Sequence, residues 1–249
     1  MARREEIIQR IRKALGHPRG GPSMVSESAL RPPSPLVGIL STIPPEEMLS
    51  KFEAELTRVA GVAHRAANRQ ELEETLKSIL SHASATSVVL SRNPLLAELN
   101  LEALLRAWGK GVSVWQASGA GDAPVGEDAS LRVFAEASFA AAVGITGVEF
   151  ALAETGSLVV ASWTEGVQLA SLAPPVHVAF FQRSQLVASL EEVLERLPVA
   201  RGPEQAVPGR SVVFITGTSR TADIEQILVR GVHGPGEVHA ILVEEACFS

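Results

Sequence analysis

The strongest constraint on this chain is an alternation that runs from Pro44 to Val243. Segments of helical period are followed, again and again, by short apolar runs. The apolar runs are Val62–Arg65, Thr86–Leu90, Gly111–Gln116, Ser157–Ala161, Val176–Phe181, Ser211–Thr216 and Glu237–Val243. Between them the spacing predicts helices over 44–59, where Pro44-Pro45-Glu46-Glu47 suits a helix start, and after Asn68, where Leu72, Leu76, Ile79 and Leu80 repeat. Further helices are predicted over 94–108 and on a face formed by Leu131, Phe134, Ala135, Ser138, Phe139 and Ala142. Two more follow Ser184, with Leu186, Leu190, Val193, Leu194 and Leu197 inward, and over 221–229. Short strands that alternate with helices pair in parallel and need cover on both faces. The expected fold is therefore a three-layer α/β domain with a largely parallel sheet.

The first 43 residues read differently. Ile7, Ile8, Ile11 and Leu15 share one face of a helix over 2–15, and a Pro- and Gly-rich arm follows Gly16. The expected organisation is an N-terminal helix and arm over 1–43 and an α/β domain over 44–249. Residues 1–20 hold six basic and two acidic side chains, a net of +4. With 22 basic and 28 acidic residues in all, the rest carries -10. An acidic body cannot neutralise many phosphates, which argues against duplex nucleic acid as a partner. Aromatics are 4% of the chain and tyrosine is absent, so base stacking is also disfavoured and the core must be aliphatic. No apolar run approaches the roughly 20 residues of a membrane span, and the charged N-terminus is not read as a secretory signal, so the expected location is cytoplasmic. The single cysteine, Cys247, excludes an internal disulfide and a Cys-ligated iron–sulfur cluster. No HExxH or facial-triad spacing occurs, and no metal site is expected.

Three constellations carry candidate chemistry. The first is Thr216, Gly217, Thr218, Ser219, Arg220 and Thr221, with Asp223 and Glu225 behind them. An apolar strand that ends in a hydroxyl-rich turn and enters a helix offers free N–H groups and an arginine fork to an anion. Thr221 as a plain N-cap, with Asp223 and Glu225 complementing the helix dipole, explains the same residues. The second is Glu154 beside Thr155, Gly156 and Ser157. This carboxylate can serve as base, nucleophile or hydroxyl ligand, with Glu149 as a partner carboxylate, or it can simply close a turn. The third is the turn around Pro235, where Gly234 and Gly236 surround the proline and His233 can reach a site edge or bond to backbone. His177, inside an apolar strand, reads as a hydrogen-bonded core histidine. The lone Gly119-x-Gly121 lacks the third glycine of a dinucleotide fingerprint, and no phosphate-loop pattern with a Gly-Lys-Ser/Thr end occurs.

Long motifs join these pieces. ITG-x-EFALAETGSLVV over 145–160, TEG-x-QLASLAPPVHVAF over 164–180 and ITG-x-SRTADIEQ-x-LVRGVHGPGEVHAIL over 215–242 resemble the lactate-utilisation protein C family, which is built on the LUD domain. The charged N-terminal helix and proline-rich arm are similar to that family too. The TEG and PPVH stretch also resembles the LUD domain embedded in the iron–sulfur subunit of such systems, whose cysteine-rich motifs are missing here. The resemblance implies an α/β fold similar to sugar-phosphate isomerases and CoA-transferases. It further implies oxidation of L-lactate to pyruvate together with iron–sulfur partner proteins, with the clusters on those partners and no cofactor on this chain. Carried over by the motifs are Thr146, Gly147, Glu154, Thr155, Gly156 and Ser157, then Thr216, Gly217, Ser219, Arg220, Thr221, Asp223, Glu225, His233, Gly234, Pro235 and Gly236.

Three functions stay open at this point. The first is a non-redox subunit of an L-lactate oxidation system. The second is an independent enzyme on a phosphorylated or CoA-linked ligand held at Thr216–Thr221, with Glu154 and His233 as its catalytic groups. The third is a binding or regulatory module whose N-terminal helix makes the contact.

Overall fold

The computed structural model describes residues 43–115, 126–197, 211–222 and 228–248. The expected N-terminal helix and arm lie outside these residues, as do the Gly119-x-Gly121 loop and the positions of Asp223 and Glu225. The framework is a six-stranded sheet built from β1 (Val62–Ala66), β2 (Ser87–Leu90), β3 (Gly111–Val114), β4 (Val143–Thr146), β7 (Val176–Phe181) and β12 (Glu237–Val243). Its strand order is β1-β12-β7-β4-β2-β3, and every adjacent pair is parallel. The α/β class with a largely parallel sheet is thus the observed one.

The period-2 alternation of these strands sorts side chains to two faces. Val88, Leu90, Val143, Ile145, Val178, Phe180 and Ile241 turn to one face. There they meet Leu72, Leu76, Ile79 and Leu80 of α2 (Arg69–His82), with α3 (Pro94–Glu98) and α4 (Leu101–Ala107) beside it. Asn68 caps α2 as expected, its side chain accepting from Glu71 N–H at 3.0 Å. The region expected as one helix over 94–108 is two. Asn100 takes a left-handed φ of 51°, which asparagine tolerates better than most residues, and the axis breaks there.

Ala179, Phe181, Val238, Ala240 and Leu242 turn to the other face. Against them pack Leu49, Phe52 and Leu56 of α1 (Met48–Arg58) and a second sheet the periodicity did not announce. That sheet joins β5 (Phe150–Leu152), β6 (Ser157–Ala161), β8 (Leu186–Val187) and β9 (Val212–Ile215) in the order β8-β5-β6-β9. It explains one correction and one burial pattern. Leu186 and Val187 pair in parallel with Ala151 and Leu152, so the helix expected after Ser184 starts later, as α8 (Leu190–Arg196) with Ser189 as its cap. Residues 150–152 and 157–161 are both fully buried because β5 and β6 are covered by the main sheet on one side and by Val193 of α8 on the other.

The helix expected over 221–229 is not there. Arg220–Ala222 and Leu228–Arg230 are strands β10 and β11 of an antiparallel pair. Thr221 is the register partner of Val229, and both are β-branched residue types, which suit a strand better than a helix turn. On α5 (Gly126–Ala140) the inward stripe is Phe134 and Ser138, whereas Phe139 is 73% exposed. The Phe134 ring lies edge-on to Trp115 at 5.4 Å and sets which side of the helix turns in.

Candidate functional site

The candidate residues fall into two groups at opposite ends of the main sheet. The β5–β6 hairpin connects the ends. Leu152 pairs with Ser157 near its turn, and Phe150 pairs with Val159 further along. Glu149, just before β5, donates its N–H to Val159 at 2.7 Å, whereas Glu154, in the turn, donates to Ala188 at 3.2 Å. The two carboxylates expected to share one cleft are therefore separated by the length of the hairpin.

At the amino end, the predicted hydroxyls do come together. Thr155 Oγ1 lies 2.7 Å from Ser157 Oγ, which lies 2.7 Å from Thr216 Oγ1. Gly156 and Gly217 have positive φ of 66° and 77° and pass close to the end of α1. A Cβ on Gly156 would stand 2.1 Å from the Leu56 nitrogen, and one on Gly217 2.1 Å from the Val59 oxygen. The 216–219 turn continues to the Pro235 loop: Ser219 N–H donates to the Pro235 carbonyl at 2.8 Å, and Gly231 N–H to the Ser219 carbonyl at 3.0 Å. Gly234 stands against Ser219, and Gly236 N–H donates to the Pro175 carbonyl at 2.9 Å. Thr218 is buried, and its Oγ1 has no partner among the described residues. His233 and Arg220 are exposed. Because Thr221 belongs to β10, the turn does not lead into a helix N-terminus, and neither the dipole argument for an anion nor the N-cap reading of Thr221 survives.

At the carboxyl end lies a centre that sequence reasoning missed. Glu165 is fully buried. It closes α6 (Ser162–Glu165), which β6 enters directly. Ser91 Oγ–H and Gly147 N–H, the latter at 3.0 Å, donate to its Oε2, and Asn93 Nδ2 donates to its Oε1. Each donor is fixed by its own element. Ser91 follows β2 and its N–H bonds to the Ile145 carbonyl at 3.0 Å. Asn93 precedes Pro94 and caps α3, with Oδ1 accepting from Leu95 N–H at 2.9 Å, so both ends of its amide are used. Gly147 follows β4, and a Cβ there would stand 2.3 Å from the Asn93 side chain. Gly166, at φ 80°, ends the helix where a Cβ would stand 2.1 Å from the Trp115 ring.

Burial pushes the Glu165 carboxyl above the ordinary carboxylate range, against the pull of the Ser91, Asn93 and Gly147 bonds, and the Glu149 charge adds to the rise. Glu149 thus has a carboxylate neighbour after all, Glu165 rather than Glu154. The one proton of the Thr164 hydroxyl is shared between Glu149 Oε2 at 3.2 Å and the Ala161 carbonyl at 3.1 Å. Thr146, from the first predicted motif, shares a 2.8 Å hydrogen bond with His177. His177 is the core histidine expected; burial, with the nearby His239, holds its pKa down at about 3, so it is neutral. The only sequence signal for Glu165 was the Thr164-Glu165-Gly166 triplet inside an otherwise apolar and hydroxylic run. Among the described residues no group of three or more His, Cys, Asp or Glu side chains is placed to hold a metal ion.

The strand order gives this end its meaning. After β2 the chain moves outward to β3, and after β4 it moves the other way to β7. In open parallel sheets such a switch point opens a crevice at the carboxyl ends of the strands, where ligands bind. The molecule is thus an α/β domain with a topological switch point between β2 and β4.

The LUD domain profile matches residues 49–243, and the chain belongs to that family. It is 33% identical to Lactate utilization protein C of Bacillus subtilis (strain 168) over 178 residues, 70% of this chain and 69% of that protein. It is 27% identical to Lactate utilization protein C of Anoxybacillus flavithermus over 244 residues, 97% of this chain and 99% of the other. A DUF162 family protein from Deinococcus radiodurans has a similar fold, with a TM-score of 0.51 at 18% identity, covering 82% of this chain and all of that one.

Proposed function

We propose that this chain is a non-redox subunit of an L-lactate oxidation system and works with iron–sulfur partner proteins in the cytoplasm. The observation that carries the reading is its likeness, over 97% of its length, to proteins named Lactate utilization protein C. A chain with one cysteine lacks the thiolates an iron–sulfur cluster normally takes, so electrons leaving lactate would pass to metal centres on other chains. Cys247 itself is buried and donates its S–H to the Ala66 carbonyl at 3.2 Å, and burial raises its pKa, as befits an inert packing thiol. The test is reconstitution of lactate oxidation from the iron–sulfur partners with and without this chain. Pyruvate formation should depend on the chain, and full activity in its absence would overturn the proposal.

A further inference from the structure

We infer that His64 and His239 form an acid-sensitive latch, which holds the edge strand β1 to the main sheet and releases it when both rings are protonated.

The latch rests first on where the two rings stand. β1 is the outermost strand of the main sheet, and β12 is its one ladder partner there. His64 is in register with Ile241 and His239 with Val62, so the two histidines are diagonal neighbours across that ladder. They lie on the face that α2 covers, with Ala66, Ile241 and Val243. His64 Nε2 is 3.0 Å from His239 Nδ1, and the rings stack with centroids 5.3 Å apart. Such a contact between two ring nitrogens holds one proton: one nitrogen donates and the other must be bare.

The surroundings decide how many more protons the contact survives. Glu237 Oε2 stands 3.6 Å from His239 Nε2, and its Oε1 stands 3.8 Å from Nε2 of His82 at the end of α2. His239 Nε2 is buried and has no hydrogen-bond partner among the described residues. The first added proton therefore has a place. His239 then donates from Nδ1 to His64 and holds its Nε2–H toward the Glu237 carboxylate. The second proton has none, because it sets N–H against N–H and puts two positive charges on stacked rings. Burial holds both rings below the ordinary histidine pKa, and the charge of His239 adds to the effect on His64. At neutral pH both are uncharged and the latch is closed.

Other charged groups on the surrounding elements are engaged elsewhere. On α2, Arg69 and Lys77 pair with Glu73, while Glu71 accepts from Asn68 and Glu74 from Gln70. Arg65 of β1 pairs with Glu53 of α1, Glu55 of α1 with Lys51 and Arg58, and Glu244 after β12 with Arg183. Glu245 is exposed, and Cys247 donates to the Ala66 carbonyl. His177 of β7, in register with Val238, lies on the opposite face. The titration that opens β1 thus belongs to His64 and His239, with Glu237 and His82 setting its pH. Opening also reaches the amino-end turn, because Val59, shortly before β1, accepts from Thr218 N–H at 3.3 Å.

Hydrogen exchange of the full chain between about pH 7 and about pH 5, corrected for intrinsic rates, tests the latch. The opening constant of residues 62–66 should rise about tenfold for each pH unit below about 6, and that of residues 176–181 should rise less. His64→Gln, whose amide can either donate or accept at the contact, should hold the rise to about threefold over the whole range. His239→Gln should do the same, so the test does not depend on one variant folding. Glu237→Gln should increase opening at the acid end by about threefold or more, since protonated His239 loses its carboxylate. The inference is overturned if β1 and β7 keep the same relative protection across the range. It is equally overturned if both glutamine variants of the histidines open with the slope of the unmodified chain, or if Glu237→Gln opens no more readily in acid.

Discussion

The two ends of the main sheet are built from similar residues and organised in opposite ways. At the amino end, glycines let loops press on backbone: Gly156 and Gly217 lie against the last turn of α1, and the hydroxyls of Thr155, Ser157 and Thr216 satisfy one another. At the carboxyl end, Gly147 and Gly166 lie against side chains, those of Asn93 and Trp115, and the polar groups converge on one buried carboxylate. Hydroxyls that close on each other make a joint, whereas donors drawn onto a buried charge make a centre whose energy depends on its ionisation.

The largest effect that would sharpen this contrast is expected from Gly156→Ala. The substitution combines a left-handed φ with a Cβ on top of the Leu56 nitrogen, and unfolding in denaturant should show a loss of about 4 kcal/mol or more. A loss below about 1 kcal/mol would mean that α1 and the hairpin turn are not packed so closely. Next comes Glu165→Ala, which strands the Ser91, Asn93 and Gly147 donors inside the protein and should lower stability by about 3 kcal/mol. Glu165→Gln, which keeps the volume, separates packing from charge. Since the native carboxyl is raised, its contribution is full below the ordinary carboxylate value and is lost as pH rises through the native one. The Gln variant should therefore lack that part of the fall in stability with rising pH.

His177 has the opposite sign. Its native pKa is depressed to about 3 from 6.5, so its contribution is full above 6.5 and is lost as pH falls. Between pH 7 and pH 5 the loss should be about 2 kcal/mol. Thermal melts of His177→Gln should show a shallower acid dependence than the unmodified chain, and equal slopes would break the argument. The smallest effect is expected at the amino-end hydroxyls. Ser157→Ala should lower stability by about 1 kcal/mol in denaturant melts, because Thr155 and Thr216 keep other means of solvation. A loss near that of Glu165→Ala would erase the distinction between joint and centre.

Elements whose own residues decide their form were readable in advance. The α2 helix has four leucine or isoleucine positions on one stripe and an Asn68 cap, and β7 and β12 are mainly apolar runs, interrupted by His177 in the first and by Glu237 and His239 in the second. The reading failed where a partner decided. Leu186-Val187 became a strand because β5 offered an edge, and Arg220–Ala222 became one because Leu228–Arg230 lies opposite. Both segments have helical spacing in isolation, and tertiary pairing overrode it.

The candidate site divides the same way. Thr155, Ser157 and Thr216 could be singled out because hydroxyls and glycines crowd within short motifs, and they do meet. Glu165 could not be, because its donors Ser91 and Asn93 stand 74 and 72 residues away in the chain. By itself the sequence determined the aliphatic core, the alternation that makes a parallel sheet and the family, since each is written in local pattern. Which carboxylate is buried, and at which end of the sheet, was decided only when β4 came to lie beside β2. Desolvation and hydrogen bonding act through distance in space, and no local pattern records that distance.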